Sequence, residues 1–290
     1  MSGPATAQLH RVDLHTHSCC SDGALRPGEL VKLAATRGVS MLALTDHDTL
    51  QGLPEAQLAC EQLGIQFVPG VELSCRWQEL EIHVLGLGID ATDEALRSLC
   101  SEQCRRRQER IEAIGARLSA LGLPGQMLVG EALGAAAPTR AHVAAGLQRH
   151  GFASSAQEAF DRYLTRGRPG FVASTWPSLA SIVEHVLGAA GAAVLAHPHR
   201  YGLSGARLRE LTHEFKRLGG AGIEISVAGM GPAKAAEAAR LARRFDLAGS
   251  MGSDFHHPGI PWRPLGRLVK LPEAVTSITA RLAQARESRR

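Results

Sequence analysis

Histidine and acidic residues fall at the edges of apolar runs along this chain, where such side chains could gather metal ions. The segments are His15/His17, Asp46-His47-Asp48, Glu72, His83, His197/His199 and Asp254/His256. Most follow their run at its C-terminal end; His83 stands at the head of its own. Imidazole and carboxylate without a Cys-x-x-Cys pair suit Zn²⁺, Mn²⁺ or Fe²⁺, whereas structural zinc sites are normally closed by thiolates. Nine residues are direct-ligand candidates: His15, His17, Asp22, His47, Glu72, His83, His197, Asp254 and His256. Nine ligands are too many for one ion and suit two or three ions sharing a bridging carboxylate. Such clusters hold a hydroxide and polarise a phosphoryl oxygen, which favours hydrolysis of a phosphate ester.

Positioning these residues requires repeated strands. Alternation or continuous apolar character predicts strands at Arg11–His17, Val39–Thr45, Ile65–Ser74, Ile82–Ile89, Ala193–Ala196, Gly222–Ser226 and Leu247–Gly252. In the first, Val12 and Leu14 face one way, and Asp13, His15 and His17 the other. Helices are expected from Pro27 to Arg37, from about Leu53 to Leu63, and from about Pro272 to Glu287. Strand–helix alternation implies a parallel sheet, open or closed into a barrel, with its site at the C-terminal strand ends. From about Thr92 to Gly170 only helical periodicity is found. The expected organisation is therefore a barrel part over 1–95, an inserted helical subdomain over 96–170, and a second barrel part over 171–290.

Composition narrows the class. The chain has 290 residues, 44% of them hydrophobic, enough to bury a large core. The net charge of +4 is too mild to demand a polyanionic polymer, and 4% aromatics leave few base-stacking platforms. No apolar run of transmembrane length is present, and MSGPATAQLHRVDLHTH lacks the apolar stretch of a secretory signal. Six scattered cysteines fit a reducing compartment, so a soluble cytoplasmic protein with no membrane and no obligate protein partner is expected.

The segments DLHTHSCCSDG, LALTDHDT, PGVELS, AHPHR and GSDFH resemble, in order, the motifs of the PHP (polymerase and histidinol phosphatase) superfamily. The resemblance implies an α/β fold, a distorted (β/α)7 barrel with a di- or trinuclear centre at its C-terminal mouth. It implies one metal on His15, His17, Glu72 and Asp254, with Glu72 bridging to a second on His83 and His197. A third would lie on Asp22, His47 and His256. Asp46 and Asp48 would orient His47 and neighbouring imidazoles, or else cap the helix after Thr49.

Pro138-Thr-Arg-Ala-His142 and Tyr163-Leu-Thr-Arg-Gly-Arg-Pro-Gly resemble the TrpH-like subfamily of 3′,5′-nucleoside bisphosphate phosphatases, which includes 5′-to-3′ exoribonucleases. That resemblance implies removal of the 3′-phosphate from adenosine 3′,5′-bisphosphate, with action on short 5′-phosphorylated RNA beside it. Two or three divalent ions, Mn²⁺ first and Zn²⁺ or Fe²⁺ as alternatives, would be the cofactors. Arg140, Arg168 and Arg200, with His142, are the candidates for gripping the second phosphate, since the guanidinium fork binds phosphate through paired hydrogen bonds. Two rivals remain: a histidinol-phosphate phosphatase and a non-catalytic PHP binding module. Trp77 and Trp176 are candidates for the floor of a nucleobase pocket, and Arg105-Arg106-Arg107 reads as a solvated helix face.

Overall fold

The computed structural model describes residues 11–260, 263–266 and 268–287; His10 and most of the N-terminal segment read for a secretory signal lie outside them. Seven strands carry the site: β1 (Arg11–Asp13), β2 (Val39–Leu44), β3 (Gln66–Trp77), β4 (Leu80–Leu87), β5 (Ala192–Leu195), β6 (Gly222–Val227) and β7 (Ala248–Gly252). They lie side by side in chain order in one sheet. The Leu14 amide donates to Met251 O (3.0 Å) and the Asp254 amide to His15 O (2.8 Å), so the last strand returns to the first. The sheet is thereby nearly closed into a barrel. The first expected strand is shortened to β1, and the carboxylate of Asp13 accepts the amides of Ser253 and Gly266, both at 2.8 Å, and that of His15 at 3.4 Å, instead of meeting the imidazole rings.

The all-parallel expectation is corrected at one strand. β4 pairs antiparallel with both β3 and β5, and the other pairs are parallel. Only Gln78 and Glu79 separate β3 from β4, too few for a helical crossover, so the chain must fold back as a hairpin. Gln78 takes φ 52° to make that turn, without the Asn-Gly or Gly signal that usually announces one. Because β4 runs backwards, its head lies where the other strands end. That places His83 among residues that follow their runs.

Alternation along the strands sorts side chains into two layers. Leu14, Ala43, Val68, Leu85, Leu87, Val194, Ala196 and Ala248 fill the barrel interior together with Ile278 of the last helix. Leu42, Leu44, Val71, Leu73, Ile82, Leu195, Ile223 and Ile225 point outward into a larger core. That core is covered by α1 (Pro27–Thr36), α2 (Leu53–Leu63) and the front of α3 (Glu94–Ala120).

After α3 come α4 (Gly125–Ala132), α5 (Arg140–Arg149), α6 (Ala156–Ala159) and a π-helical turn at Phe160–Leu164. These form a second hydrophobic core around Ile111, Ile114, Leu118, Leu128, Val143 and Leu147. The 27-residue α3 serves both cores, Leu96 and Cys100 packing on the barrel and Ile111 to Leu118 on the insertion. The barrel resumes with α7 (Leu179–Gly188), α8 (Gly205–Arg217) and α9 (Pro232–Arg244), and α10 (Ile278–Glu287) closes the described chain. Among the described residues no helix is long and apolar enough to cross a membrane.

Candidate metal centre

The strand ends converge on one cluster. Glu72, near the middle of β3, is fully buried and points its two carboxylate oxygens at different groups. Oε1 lies 2.8 Å from both His83 Nδ1 and His197 Nε2. Oε2 lies 3.1 Å from His15 Nε2, 3.1 Å from His17 Nε2 and 3.2 Å from His47 Nδ1. Asp254 Oδ1 joins the second group, 3.4 Å from His15 Nε2 and 3.3 Å from His17 Nε2. Asp22 Oδ1 lies 3.2 Å from His256 Nε2 and 3.7 Å from His47 Nε2. All nine residues singled out by type and spacing therefore lie in one connected cluster.

The backbone is bent to produce this convergence. His197, Asp254 and Asp48 adopt φ of 25°, 50° and 52°, a left-handed region disfavoured for residues with a Cβ. Each follows a strand, and the sharp turn redirects the next side chains to the mouth. Gly252 at the end of β7 allows the close approach of His15; a Cβ there would lie 2.2 Å from His15 Cβ.

The donor set fits divalent ions. Ligand atoms bonded at about 2.0–2.2 Å to one ion sit roughly 3.0–3.4 Å from each other, the spacing seen among His15, His17, Glu72 and Asp254. Three groups of such atoms are close enough to hold an ion: His15/His17/Glu72/Asp254, His47/Glu72/His83 and His17/Asp22/His47/His256. Asp22 Oδ1 and His47 Nδ1 are buried without a hydrogen-bond partner, an arrangement that ions beside Asp22 and beside Glu72 would relieve.

The electrostatics point the same way. Burial works to protonate Glu72, but the His15, His47 and His83 rings hold its carboxyl well below the usual range. Asp22 and Asp254 are likewise held down against burial, the first by His47 and His256, the second by His256, His15 and Arg200. Burial disfavours charge on His15 and His17 too, yet the surrounding carboxylates raise both, His17 to about 9. Without ions, these rings and that of His83, which Glu72 also raises, supply the positive charge. Metal uptake must then displace their protons, so apparent affinity should weaken as pH falls from 8 to 6, a range wholly below the raised value for His17. Calorimetric titration in buffers of differing ionisation enthalpy would show proton release on binding; uptake independent of pH would contradict this charge balance.

A cavity of 150 Å³ adjoins the cluster, lined by Asp22, His47 and His83 together with Glu81, Arg107, Arg110, Thr139, Arg140 and Phe160. Arg140 opens α5 and reaches this cavity. Thr139, the N-cap of α5, donates from Oγ1 to Asp22 Oδ2 at 3.1 Å, tying the insertion to a candidate ligand.

Residues 13–165, more than half of the chain, match the PHP domain. This chain belongs to the PHP-domain family. It is 40% identical over 268 residues to a 5′-3′ exoribonuclease of Haemophilus influenzae, covering 92% of this chain and 97% of that one. It is 39% identical over 267 residues to a 3′,5′-nucleoside bisphosphate phosphatase of Chromobacterium violaceum, covering 91% and 93%. The fold superposes on an amidohydrolase from Chromobacterium violaceum, solved with bound sulfate and no metal, at a TM-score of 0.89 and 37% identity. That superposition covers 95% of this chain and 96% of the other.

Several expected roles come out differently in this PHP protein. The Asp46 carboxylate accepts Ser18 N (2.7 Å), Ser18 Oγ and Ser21 Oγ (both 2.6 Å), fixing the loop that carries Asp22 rather than holding a ring. Asp48 faces Arg107, Gln103 and the Ser74 amide, and among the described residues no hydrogen bond links it to an imidazole. Neither caps a helix, since the N-cap of α2 is Gly52. Arg107 is not on a solvated face: it is buried, its guanidinium 2.6 Å from Asp48 and stacked 5.1 Å from the Trp176 ring centroid. The neighbouring Arg105 does pair with Glu102 and Glu109 in solvent.

Among the phosphate candidates, Arg200 is engaged by Asp254, and Arg168 is exposed on the loop after Leu164, away from the cavity. His142 uses Nδ1 to accept the Thr139 amide at 3.0 Å, closing the N-terminal cap of α5. Trp77 is buried with its Nε1 donating to Glu214 at 2.7 Å, and Trp176 is buried under Arg107 and Arg110; neither lines the cavity.

Sequence reasoning passed over Arg110 and Glu81. Arg110 lines the cavity with one amino group, Nη2, buried and unpartnered, and Nη1 3.5 Å from Glu81. Burial works to raise Glu81, but Arg110 and Arg140 hold it down at about 2. Their signal was faint: one more arginine in a helix already rich in them.

Proposed function

We propose that this protein is a metal-dependent phosphoesterase that removes the 3′-phosphate of nucleoside 3′,5′-bisphosphates, converting adenosine 3′,5′-bisphosphate to AMP and phosphate. The observation that carries this reading is Glu72, whose two oxygens face separate groups of imidazoles and so can bridge two ions. Divalent ions at such a centre activate water at neutral pH and neutralise charge on the phosphoryl group. We assign Mn²⁺ to the centre, since imidazole and carboxylate oxygen without thiolate accommodate it, with Zn²⁺ and Fe²⁺ as alternatives.

The chain's own groups supply the rest. His15, His17, Glu72 and Asp254 would hold one position; His83 and His197 would hold a second through Glu72; Asp22, His47 and His256 would hold a third. Arg140 and Arg110, which line the same cavity as Asp22, His47 and His83, grip the second phosphate of the substrate. Phe160 offers an aromatic edge or face to the base from the same wall. The insertion formed by α4, α5 and α6 with the rear of α3 caps the mouth and selects small substrates. Relatives named as exoribonucleases support action on short 5′-phosphorylated RNA at the same site, where the 5′-phosphate would use the same arginines. Six cysteines, none of them in a disulfide, suit a cytoplasmic setting.

Phosphate release from adenosine 3′,5′-bisphosphate, with L-histidinol phosphate in parallel, tests the reaction. Fast release from the first supports it, whereas release from histidinol phosphate alone would overturn it. Replacing Arg140 with alanine should raise KM for the bisphosphate on the order of 10- to 100-fold, as loss of a charge-assisted contact implies. The same change should leave hydrolysis of a simple aryl phosphate nearly unaltered. Steady-state kinetics on both substrates decide it: equal effects would remove Arg140 from the anchor.

A further inference from the structure

β6 is apolar and buried along its whole length, and one charged residue interrupts it. Glu224 is fully buried, on a strand whose Ile223 and Ile225 pack into the outer core. Leaving a carboxylate there without strong partners would be costly. Among the described residues its side-chain hydrogen-bond partners are two, and both belong to the metal centre. Oε1 lies 3.0 Å from His15 Nδ1, and Oε2 accepts the backbone amide of His197 at 2.6 Å. A register shift between Glu224 and Ser226 in the pairing with β7 marks a bulge, a device that re-aims side chains beside functional sites.

The two nitrogens of His15 thus have separate tasks. Nε2 faces Glu72, Asp254 and His17, all within 3.4 Å, while Nδ1 is turned to Glu224. A carboxylate on the far nitrogen fixes both the tautomer and the plane of a ligating ring. His197 lacks such support on its ring, where Nδ1 is buried and unpartnered. Glu224 holds it through the main chain instead, at the φ 25° turn that ends β5.

We propose that Glu224 is a positioning residue for the metal centre. It keeps His15 in the Nδ1–H form with Nε2 presented to the ion, and it pins the strand end from which His197 projects. One carboxylate thereby sets ligands on both sides of Glu72. This rests on the metal-centre reading above, but makes a separate claim about a residue outside the ligand set.

The test uses Glu224→Gln and Glu224→Met in the full chain. Glutamine can accept one of the two donors through its oxygen, while its amide nitrogen would oppose the other; methionine accepts neither. Affinity for Zn²⁺ and Mn²⁺, read by competition with a chromophoric chelator, should fall 10- to 100-fold for methionine, as loss of an outer partner typically does. Glutamine should lie between methionine and wild type. In ¹⁵N-histidine-labelled, Zn²⁺-loaded wild type, NMR should show His15 protonated at Nδ1. The melting temperature without metal reports folding, and if the methionine variant does not fold, glutamine decides. A folded glutamine variant with wild-type affinity, or a wild-type His15 protonated at Nε2, would overturn the proposal. Wild-type protein that takes up no metal would overturn the metal-centre reading itself, and this proposal with it.

Discussion

Replacing Glu72 with glutamine should lower kcat/KM on adenosine 3′,5′-bisphosphate by about 10³-fold or more and reduce bound metal. The two oxygens of Glu72 reach five imidazoles in two groups, so no other single residue touches as much of the centre. An amide keeps the shape but loses the negative charge and offers one acceptor in place of two. Each ion contributes several kcal/mol of charge stabilisation in the transition state, and every 1.36 kcal/mol is about tenfold in rate. The variant should nonetheless fold, because removing a buried carboxylate also removes its desolvation cost. Metal analysis beside kinetics separates the causes. Full metal content with near-normal kcat/KM would show that Glu72 does not bridge.

The second large effect concerns stability. Asp48→Ala should destabilise the fold by roughly 3–5 kcal/mol, the cost of breaking a buried ion pair from one side, or a Tm fall of roughly 6–20 °C. Asp48 accepts hydrogen bonds from Arg107 Nε and Gln103 Nε2, both at 2.8 Å, and from the Ser74 amide at 2.7 Å. Arg107 reaches on to Ser74 Oγ at 2.8 Å and lies against Trp176. The network locks α3 onto the barrel beside His47, and its loss leaves a buried guanidinium without a counter-charge. Adding Arg107→Met to Asp48→Ala should recover part of the loss, since the stranded charge goes too. Thermal melts of the three variants measure this. A Tm within 2 °C of wild type for Asp48→Ala would show that the pair does not anchor α3.

The nine clustered residues were legible in the sequence because metal chemistry restricts residue type and strands restrict position. A histidine or acid at the end of an apolar run is a local pattern, readable one segment at a time. Direction was not legible in the same way. His83 stands at the head of its apolar run, a place that only an antiparallel strand brings to the mouth, and the two-residue turn at Gln78-Glu79 that reverses the chain carries no recognisable turn signal. Proximity in sequence ties Asp46 and Asp48 to His47, yet side chains flanking a residue at a strand end face other directions, here the Ser18–Ser21 loop and α3.

Arg107 was hidden for a different reason. Its neighbours Arg105 and Glu109 do form a solvated face, and only the packing of α3 against Trp176 sets Arg107 apart. Glu224 did carry a signal, an acid inside the run Gly-Ile-Glu-Ile-Ser-Val, which a strand buried on both faces tolerates only with dedicated partners. Those partners come from β1 and from the end of β5, contacts that no local pattern encodes.

The most direct measurement is ³¹P NMR of adenosine 3′,5′-bisphosphate during turnover by the Mn²⁺-loaded protein. The two phosphates resonate separately, so the spectrum identifies which ester is cut. The proposed reaction, with Glu72 shared between ions and Arg140 and Arg110 on the second phosphate, predicts loss of the 3′-phosphate signal, growth of inorganic phosphate and retention of the 5′-phosphate as AMP. Loss of the 5′-phosphate, or no change with Mn²⁺, Zn²⁺ or Fe²⁺, would contradict it.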